Sequence, residues 1–456
     1  MSDTPASPTD RLLPTTPVTS LAAYIDTGGG RGLQTALEMA PAEVAAEVGD
    51  AGLRGRGGAG FPTATKWRSV REAAAQTGAT PRLVINGAEG EPGTYKDRLL
   101  LATNPFQVLE GVLIARHAIG AATVHLGVKA RTGQAGPLQQ AVDALAAAGW
   151  CEAGAIELVE GPDEYLFGEE TGLLEVVEGN LPLPRWLPPF QQGLFATTQS
   201  PDPTAVNNVE TLANVPLILS EGAPRFREAG TDDSPGTMLF TVVGDVADPG
   251  VYELPLGTPL SRLVVDIAGA GDIKAVFSGV SSPVIHPEVL DTPLTYEDMR
   301  TAGTGLGSGG FIVYDHRHCI VRVAATLSHF LAIESCAQCS ACKLGCEAIT
   351  ALLSRVEAGE GTQRELEAIA DRLPTITDQT RCALPAGEQL LIGSLLDAYR
   401  DEFIAHLGHT CASDVDEQVP KIEHLDDATG TVTYDPDFHR KRPDWSYAPA
   451  GTGRTP

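Results

Sequence analysis

Basic residues and long apolar runs are both scarce in this chain of 456 residues. Lysine and arginine number 32 against 59 acidic residues, which gives a net charge of −27. This balance excludes a nucleic-acid partner, because the chain offers no extended basic surface for phosphates. No apolar run is long enough to cross a bilayer, and the N-terminus lacks the basic start and apolar core of a signal peptide. We therefore expect a cytoplasmic protein with no direct membrane insertion.

Aromatic residues are also few, at 5%, whereas glycine (49) and proline (33) are abundant. This composition predicts many turns and close approaches between backbone segments. The length predicts several domains. Changes in composition divide the chain into a disordered tail at 1–20, three domains at 21–230, 231–318 and 319–412, and a second tail at 413–456.

The pattern of hydrophobic residues predicts a different secondary structure for each domain. In the first domain, strands at 82–86, 123–128 and 156–159 alternate with helices at 104–119 and 138–148, after an earlier helix at 41–54. This alternation predicts an α/β fold with a parallel sheet. The second domain shows short strands at 238–245, 250–254 and 275–278 and one helical stretch at 260–268, which indicates a small α+β unit. Residues 323–406 are helical in pattern, which predicts a bundle.

Three of the eight cysteines, Cys336, Cys339 and Cys342, lie within seven residues of one another. Two successive C-x-x-C steps can direct three thiolates to one centre, which favours a [4Fe–4S] cluster over zinc, whose structural sites generally pair two separated C-x-x-C units. The residues alone leave the fourth ligand open between Cys346 and Cys382. Cys151, Cys319 and Cys411 are isolated and are expected to be structural.

Several loops carry polar residues suited to a phosphorylated cofactor. Gly55–Gly60 has the letters G-x-G-x-x-G, but a helix precedes it where the dinucleotide fingerprint requires a strand. Its glycines still allow close approach of backbone N–H groups to a phosphate or a flavin ring. Further polar segments lie at 86–98, which follows a strand, and at 165–171 and 206–212.

Taken in order, these segments resemble the flavoprotein subunit of respiratory complex I and its hydrogenase and formate-dehydrogenase relatives. The similar stretches are GLRGRGGAGFPT (52–63), NGAEGEPGTYKDR (86–98), GEET (168–171), VNNVETLANVP (206–216), ESCAQCSAC (334–342) and TRCAL (380–384). The resemblance implies an atypical Rossmann-like domain for FMN and NADH, a small ubiquitin-like β-grasp domain of the SLBB type, and a four-helix bundle with one [4Fe–4S] cluster. It also implies Cys382 as the fourth ligand.

The resemblance further implies which residues hold the flavin and the nicotinamide nucleotide. FMN contacts are implied for Gly55, Arg56, Gly57, Lys66, Asn86, Glu89, Gly168, Glu169, Asn207, Asn208 and Thr211, with Gly58 and Gly60 in the same glycine loop. NADH contacts are implied for Glu91, Glu170 and Phe190, with Phe61 nearby, and Glu91 is the residue assigned to catalysis.

Three departures from the family weaken the implied contacts. Ala88 replaces an aspartate that helps to hold the flavin. Ser69 replaces an aromatic residue that stacks on the nucleotide, and Leu187 replaces a basic residue, for which Arg185 or Trp186 could compensate. These changes leave open an alternative, in which the chain is a flavin and iron–sulfur adaptor that no longer binds nicotinamide.

The resemblance implies a diaphorase-type NAD(P)H dehydrogenase that passes electrons from NADH through FMN to the cluster. The electrons would continue to a separate ferredoxin-like, [2Fe–2S] or quinone-reducing partner, within a larger redox complex in some relatives. The acidic charge favours either docking to a basic partner or solubility alone.

Overall fold

The computed structural model describes residues 11–410, 413–426 and 429–449. Helices in the first domain are α1 Leu21–Asp26, α2 Arg31–Glu38, α3 Pro41–Asp50, α4 Thr63–Thr77, α5 Lys96–Thr103, α6 Pro105–Ile119, α7 Ala135–Ala147, α8 Glu170–Val177, α9 Val209–Ala213, α10 Val215–Glu221 and α11 Ala223–Phe226. The later helices are α12 Tyr296–Thr301, α13 Ile320–Glu334, α14 Ser340–Glu357, α15 Gln363–Arg372, α16 Leu384–Ala398 and α17 Arg400–Ala405.

The first domain is built on a four-stranded parallel sheet, as its strand and helix pattern predicts. The strands are β1 Arg82–Gly87, β2 Val124–Lys129, β3 Ile156–Gly161 and β4 Thr204–Asn208, in the order β3-β2-β1-β4. All three pairings are parallel, so the carboxyl ends of the strands meet at one edge. Helix α6 is buried along almost its whole length, because most of its side chains are apolar. Ligands of open parallel sheets bind at this carboxyl edge.

The second domain contains a mixed sheet formed by β5 Thr237–Gly244, β6 Gly250–Pro255, β7 Ile273–Ser278 and β8 Gly310–Asp315. Its order is β6-β5-β8-β7, with β5 and β8 parallel at the centre and antiparallel strands outside, which is a β-grasp arrangement. The helical stretch expected at 260–268 is present, but the expectation that it is the domain's one helical element was wrong. That segment forms a π-helical turn at Arg262–Ile267, and α12 is a second helical element of the domain.

The third domain packs α13, α14, α15 and α16 around an apolar core, with the short α17 following. Helices α13 and α14 meet at the segment that carries Cys336 and Cys339, between the end of one helix and the start of the next. The four longer helices correspond to the predicted bundle.

The N-terminal tail was predicted to be disordered, and this prediction is wrong for residues 11–20. Leu12 is fully buried, and the backbone N–H groups of Leu12 and Leu13 donate to the Glu253 carboxylate at 2.8 and 3.1 Å. Ser20 caps α1. Residues 1–10 lie outside the described residues.

The second tail was also predicted wrongly for residues 413–426 and 429–449, whereas residues 427–428 and 450–456 lie outside the described residues. The described parts of 413–449, called here the C-terminal strap, include a hairpin of β9 Ile422–Asp426 and β10 Thr431–Tyr434. Phe438 is buried and packs against Phe330 of α13 at 5.3 Å between ring centroids. Polar composition alone suggested disorder, but a few buried anchor residues are sufficient to fix a polar segment.

No helix among the residues that the structure describes is long and apolar enough to cross a membrane.

Candidate active site

A cavity of about 700 Å³ lies between the carboxyl edge of the first sheet, the second domain and the start of α16. This volume is within the range of small-molecule and cofactor sites. Fifteen of the seventeen residues expected to contact cofactor or nucleotide line it, namely Gly55, Gly57, Gly58, Gly60, Phe61, Lys66, Asn86, Glu89, Glu91, Gly168, Glu169, Glu170, Asn207, Asn208 and Thr211.

The glycine loop presents its backbone to this cavity. A Cβ atom at Gly57 would lie 3.2 Å from Cβ of Asn208, and Gly58, at φ +129°, has no described atom within 4 Å of the position of its Cβ. The loop is fixed by the Arg56 N–H, which donates to Thr211 Oγ1 at 2.9 Å. Only residues without a side chain leave this surface open to a bound ring or phosphate.

The asparagines that end β1 and β4 are held by neighbouring elements. Asn86 Nδ2 donates to the Gly168 carbonyl at 2.7 Å. Asn207 Oδ1 accepts from the indole of buried Trp67 at 2.9 Å. Asn208 Nδ2 donates to Asp97 at 2.7 Å while its oxygen caps α9. These bonds fix polar side chains at the sheet edge, which is the position that the sequence pattern predicts for a ligand.

The carboxylates of the cavity are bound by groups of the protein. Glu89 pairs with Arg98 at 2.9 Å. Glu169 caps α8 by accepting from two backbone N–H groups at 2.7 and 2.9 Å. Glu170 pairs with Lys66 at 2.9 Å. Burial raises the pKa of Glu169, although its hydrogen bonds oppose the shift.

Glu91 joins the first domain to the second. Its carboxylate accepts from the Tyr165 hydroxyl at 2.6 Å and from the Val280 N–H at 2.8 Å. Burial raises the pKa of Glu91, although both hydrogen bonds oppose the shift. Burial and the neighbouring Glu91 carboxylate raise the pKa of Tyr165 well above its ordinary value, so the tyrosine remains a donor.

One side of the cavity comes from residues that the sequence interpretation missed. This second-domain wall consists of residues 280–282, Tyr296, Arg300 and 304–308. The Tyr296 hydroxyl donates to the Gly55 carbonyl at 2.8 Å, and Arg54 lies 4.1 Å over the tyrosine ring. The glycine-rich run GTGLGSGG at 303–310 was the available signal, because it suggests close backbone approach.

Two expected contact residues do not line the cavity. The buried Arg56 side chain points instead to the Pro235 carbonyl at 3.1 Å, so this residue contributes its backbone to the loop. Phe190 is 39% exposed and lies outside the cavity lining. Its expected nucleotide contact therefore has no support from the cavity geometry.

The positions that depart from the family pattern also lie outside the cavity lining, except for Ala88. Ser69 donates to the Thr65 carbonyl within α4 at 3.0 Å. Leu187 is 47% exposed. Arg185 does not compensate, because its guanidinium is buried against Glu175 and Glu178 at 2.6 and 2.8 Å. Trp186 lies under Arg381 instead, at 5.0 Å.

Four cysteines line a second, small cavity beside the first: Cys336, Cys339, Cys342 and Cys382. Cys346 does not line it and is fully buried within α14. Ala337 has φ +63°, a left-handed conformation that turns the chain sharply between the first two cysteines.

Two helix N-termini face this cysteine cavity. Cys339 is the N-cap of α14, and Cys382 precedes α16 by two residues. The positive ends of helix dipoles stabilise anionic groups such as thiolates. The donor set and its electrostatics therefore fit an anionic iron–sulfur cluster.

Cys382 lines both cavities, together with Leu166 and Leu384. One layer of residues thus separates the larger cavity from the four cysteines.

Comparison with known proteins divides the chain in the same way. Residues 48–217 match the Nuo51 FMN-binding domain, 239–278 match the SLBB domain, and 322–406 match the NADH-ubiquinone oxidoreductase-F iron–sulfur binding region.

Two curated relatives and one solved structure are similar over most of the chain. The NADH-quinone oxidoreductase F subunit numbered 2 in Rhizobium meliloti (strain 1021) is 39% identical over 404 residues, which are 85% of this chain and 94% of that protein. The corresponding F subunit of Streptomyces coelicolor is 38% identical, covering 87% of this chain and 90% of that protein. A crystal structure of NAD⁺-reducing [NiFe]-hydrogenase in the H₂-reduced state has a TM-score of 0.76 at 35% identity, covering 86% of this chain and 67% of that one.

Proposed function

Because this chain belongs to the family of NADH-quinone oxidoreductase F subunits, we propose that its larger cavity holds FMN and NADH and that four cysteines hold one [4Fe–4S] cluster. The chain is an oxidoreductase of the NADH-oxidising, FMN- and [4Fe–4S]-containing type. The observation that carries the proposal is the double role of Cys382, which lines both cavities.

FMN is expected against the glycine loop and the asparagines of the sheet edge. Bound FMN accepts a hydride as two electrons and can release them singly. The open space beside Gly58 leaves room for a ring, and Asn86, Asn207 and Thr211 supply fixed polar groups around the cavity. The Trp67–Asn207 hydrogen bond orients one of these groups before any ligand arrives.

We propose Cys336, Cys339, Cys342 and Cys382 as the cluster ligands. A bound [4Fe–4S] cluster exchanges one electron at a time. Cys346 is left out because it lies within the helix core and not at the cysteine cavity. The neighbouring Cys346 side chain is the main cause that lowers the pKa of Cys342 to about 7, which favours a supporting position for Cys346 beside a ligand.

In our proposal NADH occupies the part of the cavity in front of Glu91 and Glu170, where the nicotinamide can lie against the flavin. Glu91 is proposed to position the nucleotide, because its carboxylate is already held by Tyr165 and the Val280 N–H. The hydride step itself requires that the nicotinamide be oriented against the flavin, and the fixed Glu91 carboxylate contributes to that orientation.

An electron-accepting partner protein completes the proposed reaction, and the family's members named above belong to larger redox assemblies. We propose a ferredoxin-like or [2Fe–2S] protein as this partner, because a one-electron cluster passes electrons to a one-electron carrier. The cytoplasm is the proposed compartment, since clustered thiols kept for metal ligation are typical of reducing compartments.

The test is anaerobic addition of NADH, and separately NADPH, to protein reconstituted with FMN, iron and sulfide. We expect bleaching of the flavin absorbance followed by the electron paramagnetic resonance signal of a reduced cluster. Dithionite serves as the control that both cofactors are reducible. Reduction by dithionite with no reduction by either nucleotide at millimolar concentration would replace this proposal with the adaptor hypothesis.

A further inference from the structure

The larger cavity is lined by more carboxylates than cations. Its acidic residues are Glu89, Glu91, Asp97, Glu169 and Glu170, and its cations are Arg54, Lys66 and Arg300. A nicotinamide dinucleotide brings at least two phosphate charges into such a site. Burying these charges near carboxylates is unfavourable unless a cation pairs with the phosphates.

Two of the three cations are already engaged within the protein. Lys66 Nζ pairs with Glu170 at 2.9 Å and donates to the Val206 carbonyl at 3.1 Å. Arg54 pairs closely with Glu297 and donates to the Gly60 carbonyl at 2.7 Å. Recruiting either of them to a phosphate would require an existing ion pair to be broken.

Arg300 is different. Among the described residues its ionic contact is with Glu297 at 3.9 Å, at the limit of an ion pair, and its side chain is 73% exposed. It lies in the last turn of α12 and lines the cavity from the second domain. A long exposed arginine at the cavity wall can reach a bound anion with both of its terminal nitrogens.

The loops beside Arg300 supply further donors. Ser282 and Ser308 carry hydroxyls at the cavity, and the backbone of 304–308 lines it. The glycines let this loop pack closely, because a Cβ at Gly305 would lie 2.6 Å from Ser282 Oγ and one at Gly307, at φ +56°, would lie 2.7 Å from Ser278 Oγ. Hydroxyls, open backbone and an arginine together are typical of phosphate binding.

We propose that Arg300 and the adjoining 304–308 loop bind a phosphate group of the reduced nicotinamide nucleotide. This inference rests on the proposed function. It gives the chain a phosphate-binding cation at a different place from position 187, where leucine stands, and from Arg185, which is held by two glutamates. The phosphate is either the pyrophosphate, which NADH and NADPH share, or the 2′-phosphate of NADPH.

The test compares Arg300→Gln with wild type and with Arg262→Gln. Arg262 is the matched control, because it is an arginine of the same domain outside the cavity lining, paired with Asp266 at 3.0 Å. Binding of ADP-ribose to the FMN-loaded protein is measured by calorimetry, since this probe has the pyrophosphate but no nicotinamide. Flavin reduction is then measured with NADH, with NADPH and with dihydronicotinamide riboside, which has no phosphate.

For Arg300→Gln we expect about tenfold weaker ADP-ribose binding and a similar rise in the NADH concentration for half-maximal flavin reduction. The difference should shrink at high salt, because the contact is exposed. Reduction by dihydronicotinamide riboside and all properties of Arg262→Gln should be unchanged. A loss restricted to NADPH would assign the contact to the 2′-phosphate.

Equal ADP-ribose, NADH and NADPH affinities in Arg300→Gln and wild type would overturn the inference. An equal loss with the phosphate-free riboside would also overturn it, because the arginine would then act only on the fold. Failure of the proposed function is distinct, since wild-type flavin would then be reduced by neither dinucleotide.

Discussion

Substitution of Lys441 by methionine should release the C-terminal strap from the rest of the protein. The Lys441 side chain is fully buried and pairs with Glu334 at 2.7 Å and with Glu164. Burial opposes the charge, but the two carboxylates raise the pKa of Lys441 above its ordinary value. Methionine keeps most of the apolar stem and removes the charge that separates the two carboxylates.

The expected cost is large because the pair is buried. Removing one partner of a buried ion pair typically costs about 3–5 kcal/mol, since the other charge is left without compensation. Protonation of a carboxylate can relieve part of this cost. The pKa of Glu164 is already raised by burial, so its folded-state pKa lies above the unfolded value. The variant should therefore recover stability as the pH falls from about 7 to about 5.

Hydrogen exchange followed by mass spectrometry measures this effect, because the strap can open without unfolding the whole chain. We expect the exchange protection of residues 413–449 in Lys441→Met to fall by about 3 kcal/mol at pH 7. Arg442→Met is the matched control, because this neighbouring cation is exposed and should change protection by less than about 0.5 kcal/mol. Protection of Lys441→Met within about 1 kcal/mol of wild type would refute the reasoning.

Three further predictions test other parts of the structure. Cys382→Ser should abolish the cluster, whereas Cys346→Ser should retain it, as measured by iron and sulfide analysis; the reverse result would contradict our ligand choice. Trp67→Phe should weaken FMN retention several-fold in gel filtration, because Asn207 loses its donor. Burial raises the pKa of Glu253 from 4.5 to about 7. The protonated carboxyl therefore contributes stability that is fully present below pH 4.5. This contribution is lost as the pH rises to about 7. The free energy of unfolding in urea should therefore fall by about 3 kcal/mol in wild type, relative to Glu253→Gln, between pH 4.5 and about 7. If the difference in unfolding free energy between the two proteins is the same at both pH values, this interpretation of Glu253 is wrong.

Features encoded by local pattern could be predicted from the sequence. The strand expected at 82–86 is β1 Arg82–Gly87, and the helix expected at 104–119 is α6 Pro105–Ile119. Short apolar runs and a proline at the first helical turn determine these elements with little help from the rest of the chain. The glycine loop and the polar loops could also be identified, because their residue types are unusual at those spacings.

Features that depend on distant contacts could not be predicted. The Lys441–Glu334 pair joins residues 107 positions apart, so the sequence around Lys441 resembles an ordinary polar tail. Arg185 looked available for a phosphate, and only the folded chain shows that Glu175 and Glu178 hold it. In each case the charge itself is visible in the sequence, but its partner is not.

The cavity lies between two domains, and the side chains that line it differ in how firmly the protein holds them. Among the residues that we propose for FMN, Glu89, Glu169 and Asn207 each have a partner within the protein, so their orientation is set before binding. Pre-set polar groups suit a cofactor that stays bound through many turnovers. Arg300, on the second-domain wall, has one marginal ionic contact among the described residues and an exposed side chain, which suits our proposal that it binds a nucleotide that leaves after every hydride transfer. The held FMN residues and the loosely held Arg300 therefore match the different residence times of a cofactor and a substrate.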